Sequence, residues 1–162
     1  MLSTLNDEES WRALIGPKSR RLKDIELILR FFAFYFYANQ YRSPMKDSLN
    51  RYMASNKNLE RQSSKTLSEL FKQTTECICD CIGQHAFRPK RAVNAAVVDS
   101  LMVGIAQRLH RGPIADAAAL AKAFGVLMIN GDYASAIETG TSQEANVEAR
   151  LGLAQAAFKK LK

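Results

Sequence analysis

Between Leu22 and Ala38 the chain reads LKDIELILRFFAFYFYA, and its apolar positions recur every three or four residues, not every two. Leu27, Phe31, Phe34 and Ala38 share one helical face, and Ile28, Phe32 and Tyr35 widen it. So broad an apolar surface predicts a helix packed on several sides. Asp24 is placed to open this helix, where a carboxylate suits the free amides and the positive dipole end. Ahead of it, a short helix is expected over about 6–15, ended by GPKS. After it, Ser43 reads as an N-cap and Pro44 as the first helical residue of SPMKDSLNRYM. ASNKN then breaks the pattern, and Leu59 to Ile82 reads as one long helix ended by Gly83. Further helices are predicted over about 91–110, 114–129 and 133–138, with NGDY as a turn. TSQE offers a capping box, Thr141 to Glu144, for a terminal helix carrying Val147, Leu151, Ala154 and Phe158.

No polar/apolar alternation or hairpin dipeptide is sustained, and no repeat of fixed period occurs. The expected fold is all-α: a compact bundle of about seven or eight helices with one central apolar helix. A single helical domain spans 1–162, divided into a short N-terminal helix and basic loop (1–23), core helices (24–110) and C-terminal helices (111–162). With 47% hydrophobic and 24% charged residues the composition is globular. The apolar run 25–38 is about 14 residues long and contains Arg30, short of the roughly 20 that a spanning helix needs. The start, MLSTLNDEESW, lacks the basic and apolar segments of a secretory leader. A cytoplasmic protein with reduced cysteines and no membrane partner is expected.

Charge changes the picture more than composition does. The formal net charge is +7, and it is unevenly placed: residues 1–91 hold 16 Lys/Arg against 10 Asp/Glu, residues 92–162 hold 7 against 6. Arg12, Lys18, Arg20, Arg21 and Lys23 surround the start of the main helix, and Arg88, Lys90 and Arg91 form a second group in the loop QHAFRPKR. Both groups lie on predicted loops or helix ends, where side chains reach phosphates, so Lys18, Arg20, Arg21, Lys23, Arg88, Lys90 and Arg91 are candidate nucleic-acid contacts. The aromatic residues 31–37 read as core, not as a stacking platform.

Other chemistry finds little support. Cys77, Cys79 and Cys81 form CICDC, but on a helix Cys79 points about 200° away from Cys77, and only His85 stands nearby as a further ligand. Core thiols are the expectation, with no metal site and no cofactor. His85 and His110 each neighbour arginines, without a local nucleophile signature. Neither phosphate-cradling glycine motif is present. No catalytic residue is assigned.

Residues 11–53, WRALIGPKSRRLKDIELILRFFAFYFYANQYRSPMKDSLNRYM, resemble a segment of the ParB/sulfiredoxin-like family of unknown function that includes GmrSD-type restriction enzymes. There a basic residue, an Asp, an acidic residue and LRFFA follow one another at this spacing, and an MKDFLN-like helix comes next, matched here by MKDSLN. IGQHAFRPKRAVNAAVVDSLMVGIA is similar to the family's G-x-x-A-F … N-x-A-x-x-D-x-L stretch, and TSQEANVEARLGLAQAAF to its terminal helix with an Arg. The resemblance implies the family's helical C-terminal region and a context of defence against foreign DNA. The ParB-like domain with its D-G-Q-Q-R-type motif, credited with nucleotide hydrolysis and nuclease-linked activity, has no counterpart in this sequence, and Met1 falls where the helical region would begin. Catalysis is therefore not carried over.

The expected function is that of a non-catalytic helical module cooperating with a ParB-like nuclease/NTPase domain, in cis or in trans, in restriction of foreign DNA. The alternative is a stand-alone basic nucleic-acid-binding protein; homo-oligomer formation stays open. Arg30, inside an apolar helix, requires compensation, because a buried unpaired cation is very costly. Glu26 precedes it by one turn, and Asp24, Asp47 and Asp99 are partners it could meet through space. One reading is a structural ion pair locking two helices. The other joins Arg21, Asp24, Glu26 and Arg30 in a docking face for the ParB-like domain.

Overall fold

The computed structural model describes residues 1–162. Nine α-helices and no strand make up the chain: α1 (Leu2–Leu5), α2 (Glu9–Ile15), α3 (Lys23–Tyr37), α4 (Met45–Ser55), α5 (Ser64–Cys81), α6 (Ala95–Leu109), α7 (Ala117–Met128), α8 (Gly131–Glu138) and α9 (Glu144–Phe158). A 3-10 turn, Ala38–Gln40, extends α3. The fold is the all-α bundle that the periodicity predicts, with α1 as the helix beyond the eight that the pattern marks.

The enclosed element is α6. Twelve of its 15 residues are buried, so it has no solvent stripe, as expected of a helix that is apolar all round. Helices α3, α5, α8 and α9 pack around it. Helix α3 covers one flank and buries Leu27, Ile28, Phe31, Phe32 and Phe34. Trp11 on α2 and Phe71 on α5 stack edge-on with ring centroids 5.3 Å apart, and Phe31 and Phe32 both lie 6.2 Å from Phe71. One continuous apolar core thus joins the N-terminal arm to α3 and α5. Helix α9 packs closely on α6 at Gly104, where a Cβ would lie 3.1 Å from the Ala154 backbone and from Phe158 Cδ2.

Several boundaries differ from the expectation, each for a local reason. Helix α2 starts at Glu9, not near residue 6, because Asn6 is held in a side-chain network. Helix α3 begins at Lys23 behind Leu22 in left-handed conformation (φ 56°), so Asp24 sits inside the first turn and is not its cap. Pro44, not Ser43, occupies the N-cap of α4, and the Ser43 amide instead donates to Glu144 Oε1 at 3.2 Å. Helix α5 starts at Ser64, later than Leu59. Asn56 organises the loop before it, its Oδ1 accepting from the Arg61 and Gln62 amides at 3.0 and 3.1 Å, and Ser63 caps the helix through the Thr66 amide. Asn94 and Asn130 cap α6 and α8, which makes NGDY the start of a helix and not a turn. The Thr141–Glu144 capping box does not form: Gln143 holds the N-cap without a side-chain bond, and the Thr141 carbonyl accepts from Arg150.

Gly104→Ala tests the α6–α9 contact. Alanine gains about 1 kcal/mol of helix propensity, but overpacking against backbone costs about 1–3 kcal/mol. A net loss of up to about 2 kcal/mol is expected in urea unfolding. Unchanged or raised stability would mean that α9 yields freely.

Candidate functional site

Arg30 meets Asp99 on α6. Its Nε donates to Oδ1 at 3.0 Å and its Nη2 to Oδ2 at 2.6 Å, a two-pronged contact between α3 and α6. A second guanidinium completes the group: Arg150 Nη2 on α9 donates to the same Oδ2 at 2.9 Å, and Arg150 Nη1 to the Thr141 carbonyl at 2.6 Å. Asp99 and Arg150 are 0% exposed and the Arg30 side chain 12%. Glu26 is a more distant partner, 3.8 Å from Arg30 Nη1 and half exposed. Burial works against the Arg30 charge, yet Asp99 more than offsets it and the guanidinium pKa is raised. The Arg150 guanidinium also faces the Phe34 ring, 5.9 Å from its centroid, and its buried Nε has no partner. Two cations thus share one fully buried carboxylate.

Arg150 was readable in the sequence only as part of the family-like terminal helix. The signal in the residues themselves is its position, three after Val147 and four before Ala154, on the stripe that α9 buries.

Asp24 belongs to a different group. It is 2% exposed, and its Oδ2 accepts from Asn6 Nδ2 at 2.9 Å, Arg12 Nη1 at 3.1 Å and the Ser19 amide at 3.2 Å. Asn6 Oδ1 in turn accepts from Trp11 Nε1 and Arg12 Nη2. Burial pushes the Asp24 carboxyl upward, but the bonds from Asn6 and from backbone amides outweigh it and hold the pKa below the ordinary value. Asp24 and Arg12 therefore tie the N-terminal arm to α3. Of the four residues grouped as a docking face, Asp24 faces this arm, Arg30 meets Asp99, the half-exposed Glu26 flanks Arg30, and Arg21 stands in solvent. Asp24, Glu26 and Arg30, but not Arg21, line an open groove of about 450 Å³ between the start of α3 and the segment of Val93 and Ala95, together with Lys23.

The basic residues separate in the same way. Arg88 is not a surface contact: its Nη2 donates to the Ile15 carbonyl at 2.9 Å and its Nη1 to the carbonyls of Leu14 and Gln84. It caps the C-terminal end of α2 from 73 residues away. Lys18 pairs with Asp7, and Lys90 with Glu138 at 2.9 Å. Arg20, Arg21, Lys23 and Arg91 are exposed and have no carboxylate within ion-pair distance. The Arg88 clamp holds the loop before α6 against the end of α2, and of these cations Lys23 alone lines the groove, whose walls also carry Asp24 and Glu26.

Cys77, Cys79 and Cys81 are free and half-buried. Burial and the neighbouring Cys81 push the Cys77 thiol up to about 12, which disfavours the reactive thiolate. No three His, Cys, Asp or Glu side chains come close enough to share a metal ion. His85 and His110 are exposed in separate turns. No helix is long and apolar enough to cross a membrane. No protein-family model matches the chain, and no curated protein or solved structure is significantly similar to it.

Asp99→Asn leaves two buried guanidinium groups without their shared anion. Breaking a buried pair costs about 3–5 kcal/mol, and a loss of that size is expected in chemical denaturation. A loss below about 1 kcal/mol would mean that Glu26 or water takes over the carboxylate's role.

Proposed function

We propose that the chain is a helical module of the cytoplasm that cooperates with a ParB-like, nucleotide-dependent nuclease component in restriction of foreign DNA. Its own part is to hold the phosphate backbone of nucleic acid. The observation that supports this best is the exposure of Arg20, Arg21 and Lys23 around the start of α3 and of Lys90 and Arg91 in the loop before α6, a loop that Arg88 ties to the end of α2. Four of these five are free of carboxylate partners, and all are on loops or at a helix start. Phosphate contacts need such unpaired, reachable cations and impose no demand for a catalytic group. The motif resemblance over residues 11–53 supports the restriction context, and the same segment carries Arg20, Arg21 and Lys23.

Two measurements test the reading. The purified chain is expected to bind a short DNA duplex at about 50 mM salt, with an affinity that falls steeply as salt rises. Charge reversal at Arg20 and Arg21 should weaken binding at least about tenfold and lower the salt slope by about two, with circular dichroism unchanged. Absence of wild-type binding at low salt would overturn the nucleic-acid role. Co-purification of the tagged chain with a stoichiometric ParB-like protein is the outcome expected of a cooperating module. Recovery of the chain with nucleic acid alone favours the stand-alone DNA-binding protein instead.

A further inference from the structure

A second concavity lies at the other end of α3, where α3 gives way to the 3-10 turn and α4. It has a volume of about 190 Å³, and its walls include Phe34, Tyr37, Tyr41 and Tyr52. These four rings form two tilted pairs, Phe34 with Tyr41 at 5.4 Å and Tyr37 with Tyr52 at 5.8 Å between centroids. Arg51 and Arg61 are the charged residues of the lining, and no acidic residue faces the space. Both arginines are exposed and neither has a carboxylate within ion-pair distance. Arg51 leans on Ser48 Oγ at 2.7 Å, and Arg61 stands by the Tyr37 hydroxyl, whose pKa it lowers. The Tyr52 hydroxyl is buried without a hydrogen-bond partner, a cost that an acceptor on a ligand would remove.

We propose that this pocket binds a small planar aromatic anion, one ring system among Phe34, Tyr37, Tyr41 and Tyr52 with its phosphate or carboxylate on Arg51 and Arg61. The size argues for one ring system. Cavities of about 150 Å³ admit benzene, whereas drug-sized ligands occupy about 300–1,000 Å³. The walls argue for a flat ring, because aromatic side chains hold one by offset or edge-on contact. The rim argues for an oxyanion: two unpaired guanidinium forks match phosphate or carboxylate oxygens and repel cations. The site shares no lining residue with the groove at the start of α3. It therefore stands whether or not the chain binds DNA.

Two sources share this chemistry, a nucleoside monophosphate and an aromatic carboxylic acid, and titration separates them. The four nucleoside 5′-monophosphates, 4-hydroxybenzoate, indole-3-acetate and inorganic phosphate are each titrated into the full chain by calorimetry and ligand-observed NMR. At least one aromatic anion is expected to bind with a Kd below about 100 µM. A nucleotide preference identifies the phosphate source and an aromatic-acid preference the carboxylate source. The exposed pair Arg51→Glu/Arg61→Glu should weaken that binding at least about tenfold with the circular dichroism spectrum unchanged. Tyr37→Leu should weaken it through the ring alone. No aromatic anion binding at about 1 mM, equal binding by the charge-reversed variant, or equal binding of inorganic phosphate would each overturn the proposal.

Discussion

The carboxylate of Asp99 is the point from which the arrangement of the helices follows. It sits at 0% exposure on a helix that is otherwise almost wholly apolar, and it accepts from Arg30 on α3 and Arg150 on α9. A charge in that position is tolerable only if both guanidinium groups reach it, so the register of α3 and α9 along α6 is tied to one residue. Gly104 then allows α9 to close on α6 little more than one turn further along. Buried ion groups of this kind are weak evidence for stability but can specify one packing among several. That is the role assigned to Asp99 and its partner Arg30.

With α3 held at its middle, its two ends become the places where the chain meets solvent. At the N-terminal end, Asp24, Asn6, Arg12 and Trp11 lock the arm against the helix. Arg88 then ties the loop before α6 to the end of α2, and exposed cations stand in that loop and around the start of α3. At the C-terminal end, the core residues Phe34, Tyr41 and Tyr52 and the partly buried Tyr37 line the pocket with Arg51 and Arg61. The charged groups of the chain therefore divide into buried ones that position helices and exposed ones. Some of the exposed ones, such as Lys18 and Lys90, are paired with carboxylates, and others, such as Arg20, Arg21 and Arg91, are not.

The helices were legible because a 3.6-residue period needs only local information. Their ends were less so. Asn56, Asn94 and Asn130 each set a boundary by a side-chain bond to nearby amides, and a sequence does not distinguish those asparagines from ones in solvent. Asp99 could be named as one partner for Arg30 by sign of charge, but only the fold chooses it over Asp24 and Asp47, across 69 residues. Arg88 shows the same limit from the other side. It reads as a loop cation beside Lys90 and Arg91, yet its guanidinium is consumed by carbonyls at the end of α2. The placing of Arg20, Arg21 and Lys23 at a loop and helix start could be read from the chain, but the tie that Arg88 makes between the loop before α6 and the end of α2 could not.

A double-mutant cycle between Asp99→Asn and Arg150→Met, followed by urea unfolding, tests the central claim most directly. If Asp99 anchors α9 through Arg150, the double variant should be more stable than the sum of the single losses implies. A coupling of at least about 1.5 kcal/mol is expected, within the range for residues in one buried network. Additivity to within about 0.5 kcal/mol would mean that the two residues act independently, and the buried carboxylate would not be what sets the packing of α9 on α6.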